Sequence, residues 1–318
     1  MSLFGRTKWN PAGKHCYVTG GSAGLGLSLA VLLASHGAHV SIVARDTRKL
    51  EDALAKLESA RVSNDQVFRS HSFSIGTAEG ANAALKAVME EHSGLTPDAV
   101  FLCAGKSTPK FFVEMSEQDL TDGMTNGYWV QAWTAWAVTK KMVEQQRKGK
   151  LCFVSSTLGY MSFIGYASYS PAKQALRGLA DTLRSELILY DIDVHIFFPP
   201  TMFTPGYEEE NKTKPKITLK IEEDDSGLQP DQAAAGLFKG IQAGHAHITA
   251  DFMTDLFRAS TRGSAPYHNF FYDSLVDGIA RIGVPFWRSG VDSLVRKHRA
   301  EHQQYLKEQG FPLQNGSN

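Results

Sequence analysis

KHCYVTGGSAGLGLSLAVLLASHG, residues 14–37, decides how the chain begins to fold. Residues 14–19 are a short, mostly apolar run that reads as a strand. Gly20, Gly24 and Gly26 follow where that strand must turn into a helix. Glycine at such a turn lets backbone N–H groups close on a phosphate at the helix amino terminus. Leu25, Leu29, Leu32 and Leu33 then recur at helical spacing, and Gly37 ends the run. Thr19-Gly20-x-x-x-Gly24-x-Gly26 is thus a variant of the dinucleotide fingerprint; its place between strand and helix gives weight to glycines that alone carry little.

The next strand, His39–Ala44, selects the cofactor. A chain that hydrogen-bonds an NAD ribose places a carboxylate at this strand end. Here Ala44 and Arg45 stand there, with Lys49 on the following helix turn and Ser22 in the glycine loop. That cationic corner suits a 2′-phosphate, so NADPH is the expected cofactor. Asp46, the nearby carboxylate, is expected to point away as the N-cap of a helix over 47–60.

Strands are predicted at 66–72 and 98–105, a helix at 79–92, and a long helix pair over 116–147 carrying Tyr128, Trp129, Trp133 and Trp136. A helix over 171–190 and a strand over 193–198 follow. This alternation predicts an α/β fold: a Rossmann-type, doubly wound parallel sheet in a single domain over 12–250. Ligand then binds at the carboxyl ends of the strands, where the glycine loop, Ala104-Gly105, Ser156 and Pro199 converge.

The chemistry is expected in LCFVSSTLGYMSFIGYASYSPAK, 151–173. Tyr169 and Lys173 share a helix face, and Ser156 ends an apolar strand-like run. A phenol titrates near pH 10; an ammonium about 4 Å away is worth roughly 4 kcal/mol at an effective dielectric near 20, enough to bring it toward neutrality. Ser156 would hold the oxygen that becomes alkoxide. The stretch lacks charge until its lysine, but its serines and Pro171 exclude a membrane span.

Lysine plus arginine equals aspartate plus glutamate at 33 each, which gives no pull toward nucleic acid. Cys16, Cys103 and Cys152 form no Cys-x-x-Cys and read as reduced core residues of a cytosol-facing protein. The close pair His245 and His247 lacks a third ligand, so no metal is expected. Residues 1–14 lack the apolar core of a signal peptide.

Together the glycine loop, Cys103-Ala104-Gly105, Ser156, Tyr169-x-x-x-Lys173 and the turn 199–204 resemble the short-chain dehydrogenases/reductases over roughly residues 12–250. The resemblance implies that Tyr169 is the general acid toward a ketone oxygen and that Ser156 polarises the carbonyl. It implies that Lys173 lowers the phenol pKa and binds the nicotinamide ribose, while Thr204 meets the carboxamide. Gly20, Ser22, Gly24, Leu25, Gly26, Arg45, Lys49, Ala104, Gly105, Pro199 and Met202 complete the expected cofactor site. Three positions depart from the pattern: Pro200 replaces a glycine, Ser74 an aspartate, and Gly127 the asparagine that usually precedes Tyr128. Asn126, one residue earlier, is the candidate for the proton relay.

Residues 204–215, TPGYEEENKTKP, with FVSSTLGY and YSPAKQALRGLADTLRSEL, are similar to the 3-ketodihydrosphingosine reductase subfamily. This implies an NADPH-dependent reduction of a long-chain ketosphingoid, a 2-amino-3-ketone, on the cytosolic face of the endoplasmic reticulum membrane. A homo-oligomer, dimer or tetramer, is expected through the helices over 116–147 and 171–190. A retinoid or steroid carbonyl reductase and a non-catalytic NADPH-sensing scaffold share the same core motifs and remain open. The polar stretch 203–230 reads as a surface connection or as a lid, and Glu208, Glu209 and Glu210 are candidates to meet the substrate ammonium. In the extension 251–318, Phe271, Leu275, Ile279 and Ile282 line one helix face opposite Asp273, Asp277 and Arg281. A second stripe holds Val291, Leu294 and Val295. Both are expected at a bilayer interface, or packed on their own domain or on a second subunit.

Overall fold

Every residue of the first strand is buried, as a strand covered on both faces requires. The computed structural model describes residues 8–223 and 226–311. Residues 1–7, 224–225 and 312–318 lie outside the described residues, and with them the start of the amino-terminal stretch, two lid positions and the end of the extension.

The elements alternate through β1 (His15–Thr19), α1 (Gly24–Ser35), β2 (His39–Ala44), α2 (Thr47–Ser59), β3 (Phe68–Ser72), α3 (Ala78–Glu90) and β4 (Ala99–Leu102). They continue as α4 (Glu117–Met124), α5 (Val130–Glu144), β5 (Gly149–Val154), α6 (Ser170–Glu186), β6 (Ile192–Phe198), α7 (Pro205–Asn211) and α8 (Lys216–Ile221). The chain then forms α9 (Pro230–Ala243), β7 (His247–Thr249), α10 (Phe252–Ser260), α11 (Phe270–Lys297) and α12 (Arg299–Glu308). The seven strands are parallel in the order β3-β2-β1-β4-β5-β6-β7. Winding reverses between β1 and β4, which opens a crevice at their carboxyl ends. Alternate residues feed two cores. Cys16, Val18, Phe101 and Cys152 pack on one face, and Tyr17, Val100, Leu102 and Phe153 on the other.

Some boundaries move for local reasons. The strand expected from Gln66 begins at Phe68. Gln66 is spent on the loops: its amide nitrogen donates to Ala34 O and Ala38 O at 2.7 and 2.9 Å, and its oxygen accepts from Val62 N at 2.7 Å. The expected helix pair over 116–147 is one helical line. Ser116 and Asp119 form a capping box at its start, and a π-helical turn at Thr125–Trp129 joins α4 to α5.

The extension differs most. Its helix runs unbroken through Pro285, an exposed position where the carbonyl that loses its partner meets water. The face that docks is the one carrying Asp273, Val276, Ala280 and Trp287. Arg258, itself buried, holds Asp273 with Nη2 to Oδ1 at 2.6 Å and also binds Asp255. Burying that pair leaves Phe271, Leu275, Ile279 and Ile282 outside, 48% to 82% exposed. Val284 and Trp287 pack against the main core, so residues beyond 250 help to build the domain. Among the described residues no helix is long and apolar enough to cross a membrane.

Candidate active site

β5 ends at Val154, and Ser156 caps the short turn that follows, its hydroxyl accepting from Leu158 N at 3.2 Å. α6 starts one residue after Tyr169, with Pro171 in its first turn where a missing N–H costs nothing. Lys173 lies one turn along. The Ser155 hydroxyl donates to Lys173 O at 2.9 Å and locks α6 to β5. The Lys173 ammonium donates to Val154 O at 3.0 Å and lies 5.4 Å from the centre of the Tyr169 ring. Ser156 stands close enough to the Tyr169 phenol to favour its ionised form. The three residues are thus brought together as the sequence predicts.

Their electrostatics differ from expectation. Burial, followed by the charge of Glu210, raises the Tyr169 pKa above its ordinary value, against the opposing pull of Ser156. Burial also lowers Lys173 to about 7. Lys173 is not among the groups that shift the phenol. Its proton is directed at Val154 O, and its own charge is disfavoured by the low-dielectric surroundings. The phenol is held protonated, the state a proton donor requires.

A cavity of about 500 Å³ opens beside these groups. Gly20, Gly24, Leu25, Gly26, Ala104, Gly105, Pro199, Met202 and Thr204 line it together with Ser156, Tyr169 and Lys173. A dinucleotide fits this cradle. A Cβ on Gly20, whose φ is +67°, would lie 2.9 Å from Ala104 Cα, and one on Gly26 would lie 2.4 Å from Gly20 O. Only glycine leaves backbone here for a phosphate to approach. Thr204 faces the loop from the other side: its methyl is 3.2 Å from where a Gly24 Cβ would stand. Ser22 lies in the glycine loop outside the lining, and Arg45 and Lys49 are exposed beyond β2. Asp46 caps α2 as predicted, accepting from Lys49 N at 3.1 Å.

Asn126 departs from its expected role. Its side-chain amide donates back to Asp122 O at 2.9 Å within the helical line and does not line the cavity. Its main-chain carbonyl is what turns inward: Asn126 O and Lys173 Nζ lie 3.3 and 3.6 Å from the point where a Gly105 Cβ would stand. The π-helical turn explains this, because its wider register re-aims backbone carbonyls.

One residue of the site went unseen in the sequence, and one expected group takes a form the sequence did not specify. Gln131, fully buried, donates to Val154 O at 2.8 Å and Ala104 O at 3.3 Å and accepts from Val154 N at 3.0 Å, clamping the ends of β4 and β5. A polar residue on an otherwise apolar helix face was its only signal. The expected group is the lid stretch, whose described residues fold as α7 and α8 over the cavity. Glu209 pairs outward with Lys212, whereas Glu210, Lys214 and Glu222 turn inward to Tyr166. Met253, Thr254, Phe257 and Trp287 complete the wall.

The arrangement has counterparts. The chain is 44% identical over 308 residues to the 3-ketodihydrosphingosine reductase of Cryptococcus neoformans var. neoformans, covering 97% of this chain and 92% of that one. It is 34% identical to the 3-dehydrosphinganine reductase of Danio rerio, covering 92% and 88%. Among solved structures it resembles a short chain dehydrogenase/reductase from Burkholderia phymatum in complex with NAD, with a TM-score of 0.68, 18% identity and coverage of 76% and 90%. It also resembles the L-sorbose reductase of Gluconobacter frateurii complexed with NADPH and L-sorbose, with a TM-score of 0.65, 19% identity and coverage of 76% and 97%; at such identity the likeness is one of fold. Residues 14–215 match the family described as short chain dehydrogenase, and the chain belongs to that family.

Proposed function

We propose that the chain reduces 3-ketodihydrosphingosine to dihydrosphingosine with NADPH. The observation that carries this reading is that Tyr169, Ser156 and Lys173 line the same cavity as the glycine cradle. A reduced nicotinamide dinucleotide would supply the hydride to C3. Tyr169 gives its proton to the ketone oxygen and Ser156 holds that oxygen as charge develops on it. Lys173, whose ammonium is 5.4 Å from the centre of the Tyr169 ring, would replace that proton.

The substrate is read from the relatives at 44% and 34% identity, and the shape of the site supports it. A second, apolar cleft of about 410 Å³, lined by Phe111, Val113, Phe163, Ile164 and Pro171, shares Phe163 and Tyr166 with the main cavity. It offers an alkyl chain an apolar surface beside the polar end. NADPH over NADH follows from Arg45 and Lys49 and from Asp46 being engaged as a cap. Oxidation of NADPH and of NADH, followed against 3-ketodihydrosphingosine and a steroid ketone, tests the reading. Turnover is expected with the sphingoid ketone and NADPH, and Arg45→Ala is expected to narrow the preference for NADPH about tenfold or more. Faster steroid reduction, or an unchanged cofactor preference, removes the corresponding half.

We further read the chain as acting at the cytosolic face of the endoplasmic reticulum membrane. An acyl substrate partitions into lipid at about 0.8 kcal/mol per methylene, and α11 presents Trp287 to the cavity while its outer face bears Phe271, Leu275, Ile282 and Phe286. One helix would thus join bilayer and site. Flotation with phosphatidylcholine vesicles is expected for the full chain and not for Phe271→Asp/Leu275→Asp/Ile282→Asp; equal flotation of both counts against lipid contact. The exposed indoles of Trp129, stacked on Trp133, and Trp136, edge-on to it, suit the contact of a homo-oligomer.

A further inference from the structure

Glu210, Lys214 and Glu222 meet Tyr166 on the cavity wall, and between them they hold one cation too few. The Tyr166 oxygen is 2.7 Å from Glu210 Oε1 and 2.7 Å from Glu222 Oε1. Lys214 Nζ is 2.5 Å from Glu222 Oε2 and 3.3 Å from Glu210 Oε1. The Lys214, Glu222 and Glu210 side chains are 1%, 6% and 19% exposed. A phenol has a single proton and can satisfy one carboxylate at a time, and one ammonium cannot neutralise two carboxylates. Buried charge of that kind is costly unless a further proton or cation is supplied. Burial, the largest influence, and the neighbouring Glu222 both raise the Glu210 pKa, against Lys214 and Tyr166.

The position of the cluster indicates which cation. The rings of Tyr166 and Tyr169 are 6.0 Å apart, and the charge of Glu210 is felt at the Tyr169 phenol. In a 2-amino-3-ketone the ammonium is on the carbon next to the carbonyl that must meet that phenol. We propose that Glu210, backed by Glu222, Lys214 and Tyr166, is the receptor for the protonated 2-amino group of the substrate and selects it over neutral long-chain ketones. This rests on the substrate reading above. α7 and the C-cap of α8 carry these carboxylates, so the cation also completes the lid's contact with Tyr166.

The competing role is a latch that merely fixes the lid to Tyr166, and it would affect every ketone alike. The decisive quantity is the ratio of kcat/KM for 3-ketodihydrosphingosine to that for 1-hydroxyoctadecan-3-one, the same chain without the amine. In Glu210→Gln this ratio is expected to fall about 10- to 100-fold, the worth of a charge-assisted hydrogen bond, and Glu222→Gln is expected to lower it in the same direction. Melting curves and NADPH affinity confirm that each variant folds, and the second serves if the first does not. A ratio left unchanged in the variants, while the wild type reduces the amine, overturns the ammonium receptor and leaves the reductase reading intact. A wild type that reduces the deaminated chain or a steroid but not the amine overturns the substrate reading and the receptor with it.

Discussion

Tyr169→Phe is expected to lower kcat for the sphingoid ketone by about 10²- to 10⁴-fold, the usual worth of a positioned general acid, while NADPH affinity changes little. The substitution removes one oxygen and keeps the ring, which packs 6.0 Å from Tyr166 and has the Lys173 ammonium 5.4 Å from its centre. The glycine cradle does not depend on that oxygen, so binding of the dinucleotide should survive. Because burial and Glu210 raise the Tyr169 pKa, the phenol keeps its proton throughout the neutral range. Ketone reduction should therefore show no loss of rate from ionisation of this group between pH 6 and about 9. Single-turnover NADPH oxidation, with the cofactor dissociation constant from fluorescence titration, checks both parts. Turnover retained by the phenylalanine variant would sink the role given to the phenol.

Much of this site was legible because short-range geometry decides it. The spacing of Gly20, Gly24 and Gly26 between an apolar strand and an apolar helix admits few structures. Tyr169 and Lys173 meet because they are one turn apart, whatever surrounds them. What the chain did not disclose depends on partners distant in sequence. The outward face of α11 is the clearest case. Periodicity identified the stripe of Phe271, Leu275, Ile279 and Ile282, but the docking face was set by Asp273 finding Arg258, a buried pair that no local pattern reveals. Likewise Glu208, Glu209 and Glu210 are equivalent as letters. Helix α7 turns only Glu210 toward Tyr166, and its partners Lys214 and Glu222 flank the two ends of α8. The burial of Lys173 was hidden for a similar reason. Proximity to Tyr169 was readable, whereas the acceptor that takes its proton, Val154 O, belongs to the preceding strand.

Lys173→Met should raise the stability of the cofactor-free protein and at the same time lower its activity by two or more orders of magnitude, the loss expected when the charge that positions and restores a general acid is removed. Lys173 is 3% exposed, and burial sets its pKa at about 7 against an ordinary 10.5. Between those values the unfolded chain carries a proton that the folded chain does not, so stability rises with pH through this window and is lost again as pH falls toward 7. Holding the lysine in place at neutral pH therefore costs on the order of a few kcal/mol. Methionine fills the same space without that cost, and the carbonyl it abandons, Val154 O, keeps its hydrogen bond from Gln131. The lost bond from Lys173 offsets about 1 kcal/mol of the gain. The melting temperature of the variant should exceed that of the wild type by several degrees near pH 7, and the difference should close as the pH approaches 10. A variant that melts below the wild type at neutral pH would mean that the ammonium is stabilised in the empty site and that its burial is no strain on the fold.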